Sequence, residues 1–121
     1  MSKDILHKRV SPGDELFVNA MELYNVVKEG DLESVKAIIE ADSNLVNVEY
    51  DDPYVTPLHV AAVHGQKEIM QFLIDHGADV QYHGAQTPLH VAWQRPNNME
   101  VIKILVENGA VRTEILEAVY L

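Results

Sequence analysis

The sequence predicts an all-α protein in which helix-turn-helix units are stacked into a solenoid. Two segments of the 121-residue chain support this, because they repeat one pattern. The first runs from T-P-L-H-V-A-A at 56–62 to H-G-A-D-V at 76–80, and the second from T-P-L-H-V-A at 87–92 to N-G-A-V at 108–111. Their openings are 31 residues apart (87 minus 56), and their closing glycines are 32 apart (109 minus 77). Self-similarity at such a fixed period is the sequence signature of a repeat architecture.

Each segment carries the signals of two short helices. A threonine that suits an N-cap is followed by proline at the first helical position, where no backbone hydrogen bond is lost. In the first segment Leu58, Ala61 and Ala62 recur at i, i+3 and i+4 and form a narrow apolar stripe. A second helix follows Gly65 and is expected to end at Gly77, because glycine accepts the left-handed conformation. Short helices are marginal in water, so neighbouring units must stack to bury their open apolar faces.

These motifs resemble the ankyrin-repeat family. The resemblance implies paired helices joined by short β-hairpin-like loops, a protein–protein interaction role and no catalysis. It also implies that His59 and His90 of T-P-L-H tie neighbouring turns together by hydrogen bonds. Trp93 stands at the second alanine position of the motif, and we expect it to be wedged between helices beside the irregular turn at Pro96. The segment D-S-N-L-V-N at 42–47 resembles a variant that is frequent in bacterial ankyrin proteins.

The whole chain, 1–121, is expected to form one ankyrin-repeat domain. Its predicted parts are an N-terminal arm at 1–13, a degenerate capping repeat at 14–52, a second repeat at 53–82, a third repeat at 83–112 and a C-terminal capping helix at 113–121. The arm is either loose or covers the first repeat with its apolar side chains. The connection into the second repeat is expected to turn at Asp52-Pro53. The chain is either a complete small protein or a piece of a longer array.

Composition excludes several function classes. The chain has no cysteine, which excludes disulfides, thiolate zinc sites and cysteine nucleophiles. It shows no charged-then-apolar leader and no run of about 18 apolar residues, so a cytoplasmic protein is expected.

The charge of the chain is placed unevenly. The formal net charge is −10, and residues 13–52 carry eleven acids against Lys28 and Lys36, a net charge of −9. Binding to nucleic acid or to an anionic membrane is disfavoured, because phosphate groups require a basic surface. The acidic third is either a solvated outer face or a surface for a basic partner protein. A monomer is the default expectation.

The resemblance places partner contacts at two regions of the repeat. One region is the pair of variable residues before the central glycine of each unit, at the exposed end of its first helix. The other region is the set of loop tips between units. Carried over position by position, the first region is Lys28, Glu29, Val63, His64, Gln94 and Arg95, and the second is Asp52, Pro53, Tyr54, Val55, Tyr82, His83 and Gln86. Tyrosine and arginine are frequent hot spots, but Tyr54 and Tyr82 have the alternative of packing over neighbouring loops.

The sequence contains no recognisable catalytic motif. The six histidines match no common zinc-ligand spacing and do not cluster with carboxylates in the sequence. No nucleophile elbow, P-loop or dinucleotide-binding glycine motif occurs. The pair Asp51-Asp52 is interpreted as part of a turn. No catalytic residue, metal ligand or cofactor is therefore predicted.

Three rival readings stay open beside a general protein-binding module. Small size and an acidic first repeat also fit a dedicated neutraliser of a basic partner, such as an immunity or inhibitor protein. The histidines alone suggest a metal-dependent or catalytic derivative. The last rival is a purely structural segment of a larger chain.

Overall fold

The computed structural model describes residues 8–10, 17–50, 56–82, 86–96 and 98–110. In these residues the chain forms three helix pairs, one 3-10 helix and two short strands. The helices are α1 Phe17–Glu29, α2 Leu32–Ala41, α3 Pro57–Val63, α4 Lys67–Asp75, α5 Pro88–Trp93 and α6 Met99–Glu107. The 3-10 helix is Ser43–Asn47, and the strands are β1 Lys8–Val10 and β2 Val48–Tyr50. The predicted turn at Asp52-Pro53 and the predicted helix at 113–121 lie outside the described residues.

The three helix pairs are stacked in two layers. Helices α1, α3 and α5 pack side by side as an inner layer, and each also packs against the following helix of its own pair. Helices α2, α4 and α6 form the outer layer, in which α4 contacts both α2 and α6. The predicted all-α solenoid is therefore confirmed.

Local signals in the sequence define where the helices begin and end. In α5 the Thr87 hydroxyl oxygen accepts a hydrogen bond from the backbone N–H of His90 at 3.1 Å. In α2 the Asp31 carboxylate accepts from the N–H of Ser34 at 3.2 Å. Helix α4 is closed by Gly77, whose φ of 97° lies in the left-handed region. A side chain in that conformation costs about 1–2 kcal/mol, which is why glycine stands at this stop.

The core runs continuously between the two layers. Leu58, Ala61 and Ala62 are buried as predicted, and Leu73 and Leu105 of the outer layer pack into the same cluster. Full burial of one such leucine contributes about 1.5–3 kcal/mol. Because each layer supplies only one apolar face, most of this burial requires stacking of neighbouring units.

The prediction that Trp93 is wedged between helices is wrong. Its side chain is 44% exposed, whereas Ala62, at the same position of the second unit, is fully buried. Ala62 lies where α5 packs on α3, and its carbonyl accepts a hydrogen bond from Asn98 at 3.1 Å. Trp93 ends the last inner helix of the described residues, so none of those residues supplies an inner helix to cover it.

The described residues of the N-terminal arm, 8–10, pair with the first unit. Strand β1 pairs in parallel with β2, in the register Lys8 with Val48 and Val10 with Tyr50. Tyr50 is anchored in turn, because its hydroxyl donates to the carbonyl of Ala20 at 2.7 Å and its ring meets Tyr24 edge-on. Burial raises the pKa of the Tyr50 phenol, which keeps it a neutral donor. The backbone of residues 8–10 is therefore paired with the first unit, and the two alternatives for the arm as a whole stay predictions.

Candidate functional site

The C-terminal ends of the three inner helices present a row of accessible side chains. Two residues at each end belong to this row, which we call the inner-helix strip. Its members are Lys28 and Glu29 of α1, Val63 and His64 at the end of α3, and Gln94 and Arg95 after α5. Val63 is half-buried and the other five are exposed. The structure thus brings together six residues that the sequence predicted as contact residues.

Two amide side chains form hydrogen bonds with backbone carbonyls at the C-terminal ends of the inner helices. The Gln66 amide, in the turn of the second unit, donates to the Lys28 carbonyl of α1 at 3.2 Å. Asn98, in the third unit, donates to the carbonyl of Ala62 at 3.1 Å and to that of Ala92 at 3.2 Å. Each turn is therefore tied to the inner helix of the preceding unit. Sequence analysis missed this role, although both amides directly precede the outer helix of their unit.

The turn between α1 and α2 requires a glycine. Gly30 has a φ of 83°, and a Cβ built there would lie 2.8 Å from the Gln66 amide oxygen. Glycine is thus required by the backbone conformation, and the end of the flexible Gln66 side chain packs closely against it. Together with the amide ties, this contact sets the strip on a rigid backbone.

The charged side chains of the strip are Lys28, Arg95 and Glu29, a net charge of +1 in a protein of net charge −10. His64 is flanked by Lys28 from the first unit and Arg95 from the third, and both cations act on its ring. Burial, Lys28 and Arg95 all lower the pKa of His64, so the ring is neutral at neutral pH. The Lys28 ammonium also lies 5.7 Å from the centroid of the Tyr24 ring, within range of a cation–π contact.

Five of the seven predicted loop-tip residues are not among those that the structure describes. They are Asp52, Pro53, Tyr54, Val55 and His83.

The two described tip residues, Tyr82 and Gln86, are engaged inside the molecule. The Tyr82 hydroxyl donates to the Glu49 carboxylate, and its ring meets the His59 ring edge-on at 6.0 Å. The carbonyl of Gln86 accepts from Nε2 of His59 at 2.5 Å. Both residues thus surround the N-terminal end of α3. The strip lies at the other end of this seven-residue helix, about 10 Å away.

His59 has the structural role that the resemblance implied. Its Nδ1 accepts from the backbone N–H of Thr56 at 3.1 Å, so the proton is on Nε2, which donates to the carbonyl of Gln86. Burial lowers the pKa of the ring and outweighs the opposing effects of Gln86 and Asp79. The neutral ring therefore bridges the second unit to the start of the third.

Two features of the described residues bear on other functions. No group of three or more histidine, aspartate or glutamate side chains in these ranges could hold a metal ion. No helix found there is both long and apolar enough to cross a membrane.

Comparison with known proteins agrees with this architecture. A family profile described as ankyrin repeats in three copies matches residues 23–114. The chain belongs to the ankyrin-repeat family. Ankyrin repeats are in general protein–protein interaction modules.

The curated relatives are much longer proteins. Human transient receptor potential cation channel subfamily A member 1 is 36% identical over 91 residues, which are 74% of this chain and 8% of the relative. Ankyrin repeat and SOCS box protein 11 of Pongo abelii is 35% identical over 94 residues, 75% of this chain and 28% of the relative. A palmitoyltransferase of Lachancea kluyveri is 34% identical over 87 residues, 69% of this chain and 12% of the relative. The chain therefore matches less than a third of each of these relatives.

Proposed function

We propose that this ankyrin-repeat chain is a non-enzymatic module, placed in the cytoplasm, that binds a protein partner through the inner-helix strip and the loop tips. The observation that carries the proposal is the strip itself. It presents five exposed side chains and one half-buried valine from three consecutive units, on helix ends that hydrogen bonds hold in register.

The rigidity of the strip favours binding. Association costs free energy when loops and side chains must be ordered, and a preformed surface reduces that cost. The amide ties from Gln66 and Asn98 order the backbone before a partner arrives. A partner then has to order only the side chains of the strip.

A double substitution in the strip tests the proposal. A partner is first captured from native cells with the full chain and identified, and its affinity for His64→Ala/Arg95→Ala is then compared with that for the unchanged chain. We expect affinity to fall at least about tenfold, because alanine removes two exposed residues of the strip, one of which is an arginine, a type enriched in hot spots. Helical circular dichroism should be unchanged, since neither side chain is in the core.

Lys103→Ala is the matched control, because Lys103 is an exposed cation on the outer helix α6. It should bind the captured partner like the unchanged chain. A partner whose affinity is the same for the strip variant and the unchanged chain would exclude the strip as its binding surface.

The acidic first unit favours a second candidate function, neutralisation of a basic protein. Its helices expose Glu22, Glu29, Asp31, Glu33 and Glu40, and only Lys28 and Lys36 oppose them in that pair. In that case Glu33→Lys/Glu40→Lys should abolish binding to the captured partner, and the affinity should fall steeply with salt. Retention of binding by this variant would eliminate the candidate.

A further inference from the structure

The cations of the described residues are partnered unevenly. Lys36 forms an ion pair with Glu33 at 3.9 Å, and Lys67 forms one with Glu100 across the second and third units. Lys103 also acts on Glu100. In contrast, neither Lys28 nor Arg95 forms an ion pair with a described carboxylate. These two cations are the ones that flank His64.

This distribution is unusual because the chain has 19 acids and only 9 lysines and arginines. Lys28, His64 and Arg95 belong to successive units, and burial together with the two neighbouring cations lowers the pKa of His64. Like charges brought together cost free energy unless something of opposite charge is bound. Perturbed groups of this kind cluster at functional sites.

We propose that the strip binds an extended acidic segment of a partner protein, with carboxylates placed over Lys28, His64 and Arg95. The proposal rests on the strip being the partner-binding surface, and it adds the chemistry of the partner. Packed helices lie about 8–10 Å apart. In an extended segment of polyproline II conformation, side chains three residues apart lie on the same face and are separated by about 9 Å. Carboxylates at every third position therefore match the spacing of the inner helices.

The overall charge of the chain favours a short acidic peptide segment over a nucleic acid as the ligand of the strip. A nucleic acid presents a continuous row of phosphates and requires a basic track along its length. Here only three basic side chains face the ligand, within a chain of net charge −10. A short segment covers the strip and contacts the acidic first unit only at the C-terminal end of α1.

Binding of this ligand is coupled to proton uptake. The charged groups facing His64 are Lys28 from α1 and Arg95 beyond α5, and both add to the effect of burial, which lowers the pKa of its ring. Glu29 is the exposed acid next to Lys28 in the strip. A bound carboxylate favours the imidazolium and raises the pKa of His64. Affinity therefore increases as pH falls through the pKa of the complex, and it levels off below that of the unbound chain.

The test uses labelled peptides and the full chain. One peptide carries glutamate at every third position between glycines and serines, and matched peptides carry glutamine or lysine instead. We expect the glutamate peptide to bind most tightly by fluorescence anisotropy. Lys28→Gln and Arg95→Gln should each weaken it about two- to fivefold, the range measured for exposed ion pairs. The outer-helix control Lys103→Gln should leave its affinity unchanged.

The pKa of His64 supplies an independent readout. Histidine-ring NMR, assigned with His64→Gln, should show a higher pKa when the glutamate peptide is bound. The proposal is overturned if the glutamine or lysine peptide binds as tightly, if oligouridine RNA binds better, or if Lys103→Gln costs as much as Arg95→Gln. If a captured partner depends on the strip while the glutamate peptide does not bind, the acidic-segment proposal fails and the binding function stands.

Discussion

The second and third units of this ankyrin array open with the same T-P-L-H motif but bury it differently. His59 is 1% exposed and bridges Thr56 to Gln86, whereas His90 is half-buried and its Nε2 lies 3.2 Å from the amide nitrogen of Gln94. The second unit has described helices on both sides, and α5 of the third has a described inner helix on one side only. The motif therefore determines the local fold of a unit, while the following unit determines how deeply its side chains are buried.

The largest difference between the units is expected for alanine substitutions of the two motif histidines. His59→Ala removes the ring and leaves the Thr56 N–H and the Gln86 carbonyl without their partner. We expect a loss of about 2–4 kcal/mol in the free energy of unfolding, since each unsatisfied buried polar group costs about 1–3 kcal/mol. His90→Ala should lower the free energy of unfolding by about 1 kcal/mol. Urea unfolding of both variants measures the difference, and equal losses would show that burial does not separate the two histidines.

The amides that follow the two inner-helix turns give the next largest contrast. Asn98 is 8% exposed and donates to two carbonyls, whereas the Gln66 amide makes one exposed hydrogen bond to Lys28. Asn98→Asp keeps the shape but removes the donor, and we expect it to cost about 1–3 kcal/mol. Gln66→Glu should cost less than about 1 kcal/mol.

Thermal unfolding at pH 7 measures both amide variants, because Asp and Glu are then ionised. A smaller loss of stability for Asn98→Asp than for Gln66→Glu would contradict the idea that the more buried hydrogen bonds stabilise the fold more.

A smaller difference is expected between His59 and His64 in how each affects the pH dependence of the free energy of unfolding. The pKa of His59 is lowered by burial, and the unfolded value is about 6.5. The stabilisation of the folded state by neutral His59 is therefore fully present above about pH 6.5. It is lost as pH falls, because the unfolded chain then binds the proton more readily. Between about pH 7.5 and about pH 5, the free energy of unfolding should fall less steeply with pH for His59→Gln than for the unchanged chain.

His64→Gln is the control for that measurement, since the pKa of the exposed His64 is lowered as well. It should change the slope less than His59→Gln does. A slope that is unaffected by His59→Gln would mean that the buried ring is not a source of acid sensitivity.

Sequence reasoning succeeded where the determinants are local and failed where they lie one period away. Proline and glycine marked the helix boundaries because their backbone preferences act within one turn. Asn47 was missed, although it donates to the Gly77 carbonyl and accepts from the Asp79 N–H, both at 2.9 Å. Its partners are 30 and 32 residues away. Periodicity within one helix carries no information about them, and the parallel pairing of β1 with β2 is non-local in the same way.

The smallest effect is expected at Trp93, where the two units differ most in exposure. Trp93→Ala should cost about 1 kcal/mol or less, because much of the ring already contacts water. Ala62→Trp, at the same motif position, should lower the free energy of unfolding by about 1–3 kcal/mol, since Ala62 is fully buried and overpacking forces the helices apart. Urea unfolding followed by circular dichroism compares the two variants without relying on the single tryptophan. A large loss for Trp93→Ala would mean that its buried part stabilises the third unit, and the motif position would then be structural in both units.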